Sequence, residues 1–102
     1  MGGFRPYCAM EFDYSAAKNL QLLRGRGIGF EEMIFHIKNN LLDVVMHPNR
    51  VKFPHQEVFV IDVEGYVYLV PFLRQEARFF LKTLYPSRKF TKLYMQTQEK
   101  NQ

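Results

Sequence analysis

Cysteine is nearly absent from this chain of 102 residues: Cys8 stands alone. A single thiol cannot close an intrachain disulfide, and no cysteine-based zinc site can be built, so a reducing compartment suits the sequence. Long apolar runs are missing too. No segment approaches the ~20 residues of a membrane span, and the N-terminus lacks the apolar centre of a signal peptide. The expectation is a soluble, cytoplasmic protein with no membrane contact. His36, His47 and His55 have no metal-ligand spacing between them, so neither a metal nor a cofactor is expected. A P-loop, a Gly-x-Gly-x-x-Gly fingerprint, a nucleophile elbow and a motif of paired carboxylates are all missing. Conventional hydrolase, nucleotidase and dehydrogenase chemistry therefore has no support.

What the chain does contain is apolar surface and positive charge. Hydrophobic residues make up 47% and aromatic residues 16%, enough for one core in one domain. Net charge is +4 and the pI about 9.3, a modest bias towards anionic partners. The cations are spread unevenly. Lys18, Arg24 and Arg26 come early, Arg50 and Lys52 midway, and six more fall between Arg74 and Lys92, where Glu76 is the one acidic residue. Solvated surface charge is the plain alternative reading.

The pattern along the chain predicts a leader without order over 1–9, one domain over 10–95 and a polar tail over 96–102. Met10-Glu11-Phe12 suits a short edge strand. Asp13 or Ser15 can cap a helix reaching about Arg24, with Leu20 and Leu23 facing inward, and Gly25-Arg26-Gly27 breaking it. Phe30, Met33, Ile34, Ile37 and Leu41 follow the i, i+3, i+4, i+7 rule of an amphipathic helix. Glu31 and Glu32 favour its start, and His36 is expected at or near its surface. A strand over Leu41–Met46 and a loop over His47–Gln56 come next.

Glu57–Val63 and Tyr66–Phe72 are β-branched and aromatic, and Glu64-Gly65 between them suits a two-residue hairpin. That loop pairs Val63 with Tyr66, Ile61 with Tyr68 and Phe59 with Val70. Val58, Val60, Val67 and Leu69 then lie on the opposite face. Both faces are apolar, so the face not covered by the first two helices must meet the last helix, a subunit or a ligand. Phe79–Tyr85 reads as another strand. Ser87 is a good N-cap for a final helix. The fold class is α+β: two N-terminal helices packed on a four-stranded, mainly antiparallel sheet, with a C-terminal helix.

Arg88, Lys89 and Lys92 fall in or just after the first turn of that helix. Cations there oppose the helix dipole, whereas a bound anion would gain from the dipole, the N–H groups and the cations together. A phosphate subsite is the functional reading. Lys82, alone in an apolar strand, must snorkel, pair with a carboxylate such as Asp62 or point into a cleft. Imidazole is the side chain whose ordinary pKa lies near neutrality, so either His47 or His55 suits proton transfer. Tyr66, Tyr68, Tyr85 and Tyr94 either stack on unpaired bases or pack the core.

Taken in order, Glu11-Phe12-Asp13, Ala17-Lys18-Asn19, Arg26-Gly27-Ile28-Gly29-Phe30-Glu31-Glu32 and Arg88-Lys89-Phe90-Thr91 resemble the BrnT-type toxins of bacterial toxin–antitoxin pairs. The match runs from Glu11 to about Tyr94. It departs where family Lys-His becomes Gly25-Arg26, where Tyr14 and Ser15 replace a proline, at Ser87, and at Tyr94 in place of a glutamate. The resemblance implies a RelE/ParE-like ribonuclease that cleaves RNA without metal, through attack of the ribose 2′-hydroxyl. It also implies a cognate antitoxin, of ribbon-helix-helix type. On this reading Arg88 and Lys82 bind the scissile phosphate, and His55 or Tyr85 handles a proton. Arg78, Lys89, Lys92, Arg26 and Lys18 contact the rest of the RNA. The competing expectation is a non-catalytic basic module that grips an acidic antitoxin or DNA. A homodimer or a hetero-oligomer with the antitoxin would seal an uncovered sheet face.

Overall fold

Glu64 and Gly65 both adopt positive φ, 54° and 90°, the conformation a tight two-residue turn of the primed type requires. They join β3 (Gln56–Val63) to β4 (Tyr66–Arg74) in the register read from the sequence: Val63 opposite Tyr66, Ile61 opposite Tyr68, Phe59 opposite Val70. The structure is a computed structural model that describes residues 11–100, with side chains through Met95. The expected leader over 1–9 lies outside the described residues. Before the hairpin come β1 (Glu11–Tyr14), α1 (Ala16–Arg26), α2 (Phe30–Asn40) and β2 (Leu41–Met46). After it come β5 (Arg78–Leu81), β6 (Tyr85–Pro86) and α3 (Arg88–Lys100), so the segment from Gln96 to Lys100 continues the last helix.

The sheet is mixed, and larger than the four strands expected. Its order is β1-β5-β4-β3-β2, with β6 also on β4, making six strands among the described residues. β1 runs parallel to β5, pairing Glu11 with Arg78 through Tyr14 with Leu81. The single strand expected over Phe79–Tyr85 is split. Phe72 pairs with Leu81 but Leu69 pairs with Tyr85, a register advance of one residue. Pro71 accounts for the break. The Lys82 N–H donates to the Pro71 carbonyl at 2.8 Å, and in a strand a residue's N–H points the same way as its C=O. Proline has no N–H to return, so the ladder is interrupted there, as happens when proline sits inside a sheet.

Each face of the sheet has its own cover. Phe59, Ile61, Val70, Phe72, Phe79, Leu81 and Leu84 pack with Leu22, Ile28, Phe30, Met33 and Ile37 beneath α1 and α2. Val58, Val60, Val67 and Leu69 pack on the other face with Phe90, Tyr94 and Met95 of α3. The last helix therefore covers the second apolar face, one of the three covers the hairpin arithmetic allowed. Fully burying a side chain such as Phe59 or Ile61 is worth about 1.5–3 kcal/mol, and the two faces share that contribution through one hairpin.

Three local expectations need correction. Leu20 and Leu23 are 47% and 46% exposed, and Leu22 is the core residue of α1. Leu23 instead lies against the start of α2, within 3.0 Å of the place a Cβ on Gly29 would occupy. Helix α1 also runs through Gly25-Arg26 and ends at Gly27, whose φ of 76° forms the left-handed C-cap. His36 is buried, not at the surface, and its Nδ1 meets the Asn40 side chain at 2.9 Å.

Candidate nucleic-acid interface

Helix α3 begins where β6 leaves the sheet, and a compact hydrogen-bond set fixes its direction. The Ser87 hydroxyl accepts the Phe90 N–H at 3.1 Å, the N-cap anticipated from sequence. Ser87 N–H donates to the Val67 carbonyl at 2.9 Å. The Thr91 hydroxyl accepts the Val67 N–H at 2.8 Å and donates to the Ser87 carbonyl at 2.7 Å. The first turn of α3 is thereby tied to the first residues of β4. Its outward side carries Arg88, Lys89 and Lys92, all exposed, with Leu93 bordering the same open hollow. No acidic residue occupies that turn.

Tyr85 and Tyr94 point beneath α3, into the second core. Burial raises the Tyr85 phenol above its usual value. Tyr94 is raised by burial first and then by the bond its hydroxyl donates to Asp43 at 2.9 Å. Tyr68 packs in the first core, while Tyr66 is 40% exposed and meets Tyr68 edge-on. Core packing thus accounts for three of the four tyrosines, and Tyr66 keeps an open ring.

A second basic group sits on the other face. Lys18, Gln21, Leu22, Gly25 and Arg26 form one stripe of α1 and, with Thr83, line a hollow of about 440 Å³. Thr83 belongs to the interruption between β5 and β6, so α1 lies against the break that Pro71 causes. Gln21, Gly25 and Thr83 were missed in the sequence. The spacing from Lys18 to Arg26 could have found the first two, because 18, 21, 22, 25 and 26 follow one helical face. Gly25 reads from sequence only as a breaker.

The four residues expected to act on one phosphate do not converge. Gln56 pairs with Leu73 and Pro86 with Tyr68; five residues of β4 separate those positions, about 17 Å at strand spacing. His55, exposed in the loop before β3, is therefore at the opposite end of the sheet from Arg88. Lys82 is exposed and its ammonium lies 5.4 Å from the Phe80 ring centre, two residues back along the strand and away from α3. Arg88 and Tyr85 flank the β6–α3 junction. Arg78 is at the far end as well, bonded to Glu11 at 2.9 Å and Asp13 at 3.5 Å. Beside it Arg74 makes a two-point contact with Glu57.

Among the described residues, Lys18, Arg26, Lys82, Arg88, Lys89 and Lys92 join no salt bridge, nor do Arg50 and Lys52 in the loop before β3, whereas Arg74 and Arg78 do. On α3, Arg88, Lys89 and Lys92 stand together with no acidic residue in the first turn. The described residues contain no cluster of three or more histidine, cysteine or acidic side chains able to hold a metal, and no helix long and apolar enough to cross a membrane. No protein-family model matches the chain, and neither a curated protein nor a solved structure matches it.

Proposed function

We propose that this chain is the toxin of a toxin–antitoxin pair and a metal-independent endoribonuclease of the RelE/ParE-like kind. The observation that carries the reading is the exposed group of Arg88, Lys89 and Lys92 around one hollow at the start of α3, with no acidic residue in that turn. Phosphate charge grows as the 2′-hydroxyl attacks, and fixed cations stabilise that charge. Arg88 is the phosphate ligand, Lys89 and Lys92 extend contact along the backbone, and Lys82 serves a neighbouring phosphate rather than the scissile one. Tyr85, protonated throughout the neutral range, is the phenol nearest Arg88 in the chain and the proton donor. His55 is dropped from this role because of its distance, and Arg78 because its two carboxylates already hold it. The order of motifs shared with BrnT-type toxins supports the same assignment, as does an α+β domain with three helices.

Replacing Arg88 with Ala is expected to restore growth to cells expressing the chain alone and to abolish RNA cleavage by the purified protein, with the melting temperature unchanged. Persistent growth arrest at equal protein levels would remove Arg88 from the mechanism. One observation favours a second reading, a non-catalytic basic module for an acidic antitoxin: no histidine, aspartate or glutamate accompanies Arg88 in the hollow at the start of α3. Co-expression with the product of the adjacent small open reading frame separates the two. Cleavage by the lone chain selects the enzyme, and tight binding without cleavage selects the module.

A further inference from the structure

We infer that the hollow between α1 and the Lys82–Leu84 interruption is a second phosphate site, one that lets an RNA backbone lie directly against the helix at Gly25. The inference rests on the RNA-directed reading above for its ligand, but its geometry is independent of the α3 cations. The hollow has two cations at its ends, Lys18 and Arg26, and hydrogen-bonding side chains in Gln21 and Thr83. Among the described residues, no carboxylate lines it. The two cations are eight residues apart on one face, about 12 Å along the axis, so their long side chains reach a backbone segment from both sides.

Gly25 is the informative residue. It lies inside a helix and lacks the positive φ that would call for glycine. Among the described residues, no atom beyond its chain neighbours and the backbone of its own helix lies within 4 Å of the position its Cβ would take. Neither a left-handed φ nor a crowded Cβ position calls for it in the last turn of α1, one residue before Arg26. Close approach of a ligand to the backbone is a use of glycine that this open position permits. Here the missing side chain opens the floor of a cationic hollow. Arg26 also favours the helix C-terminus through the dipole, but that role does not require Gly25 or Lys18.

The prediction sets stability and binding against each other. Gly25→Ala and Gly25→Leu introduce better helix formers into open space, so the melting temperature of the full chain should rise. Anisotropy with a fluorescent single-stranded RNA should show affinity for Gly25→Leu falling at least fivefold. Lys18→Gln and Arg26→Gln should each lower the slope of log affinity against log salt by about 1. A Gly25→Leu chain that binds RNA as the parent does overturns the inference. If the parent binds no RNA, inorganic phosphate replaces it as the probe. A phosphate-dependent rise in melting temperature that Gly25→Leu abolishes keeps the site and removes the RNA reading, and no such rise removes the site.

Discussion

Gly29→Ala tests how α1 and α2 are locked together. Gly29 is extended, with φ −116° and ψ −173°, so alanine meets no backbone penalty. Its new Cβ would sit 2.5 Å from the Asn19 Oδ1 and 3.0 Å from the Leu23 Cγ and Cδ2. That Asn19 oxygen is not idle: it accepts the Phe30 N–H at 2.7 Å and so caps α2 from the neighbouring helix. Displacing it removes a cap worth roughly 0.5–2 kcal/mol, and crowding Leu23 adds about 1–3 kcal/mol. The smaller entropy of the unfolded alanine chain returns about 0.4–1 kcal/mol. A net loss of about 2 kcal/mol corresponds to a fall of roughly 8–16 °C in melting temperature for a domain of this size. Urea unfolding of the two single variants and the double variant Asn19→Ala/Gly29→Ala gives the decisive cycle. Removing Asn19 makes room for the methyl group, so the double variant should be at least 1 kcal/mol more stable than additivity allows. Strict additivity, or a neutral Gly29→Ala, would refute the cap-and-contact account.

Thr91→Val should cost about 1–3 kcal/mol in chemical denaturation, because it strands the part-buried Val67 N–H, while Thr91→Ser should recover most of it. Burial holds the His47 imidazole below its ordinary value. The unfolded chain then takes up the proton more readily, so the contribution is complete above about pH 6.5 and is lost as pH falls towards the lowered folded value. Denaturation from pH 5 to 8 should show that loss, and His47→Gln should flatten it. Glu57→Gln should change stability by no more than about 1 kcal/mol, since its partner Arg74 is 50% exposed. A single-stranded RNA should compete for the protein better than a duplex of the same sequence in an anisotropy assay.

The hairpin, its register, the Ser87 cap and the core of α2 were legible because each follows from local periodicity or turn chemistry. The parallel pairing of β1 with β5 was not, since nothing within either segment records a partner more than 60 residues away. Pro71 was in plain view inside a strand pattern, yet which neighbour would lose its hydrogen bond depends on strand order. Leu20 and Leu23 misled because α1 touches the core through one residue, Leu22, and no broad stripe was needed. The resemblance to BrnT-type toxins has a structural component that sequence could not separate from chemistry. Asn19, Gly27, Gly29 and Phe30 serve respectively as a cap, a left-handed terminus, a close contact and a core side chain. Its most specific segment therefore speaks for the helical hairpin, and of the shared residues Arg88-Lys89 is the part that bears on the proposed chemistry.

The place where β1 stops decides how the basic surface can be used. Tyr14, its last residue, pairs with Leu81, and the chain then turns away into α1. Residues Lys82 to Pro86 are left as the outer edge of the sheet beside β4. α1 lies on one face and α3 on the other, so Lys18 and Arg26 are separated from Arg88 and Lys89 by that edge, with Lys82 exposed along it. A ligand that satisfies both groups must cross from one face to the other within the span of a few residues. A flexible single strand can bend over such an edge, whereas bending a duplex costs about 1–6 kcal/mol even when spread over roughly 20–30 bp. The proline that interrupts β5 thus has a consequence beyond the ladder it breaks: it frees the edge over which the two basic groups can share one strand.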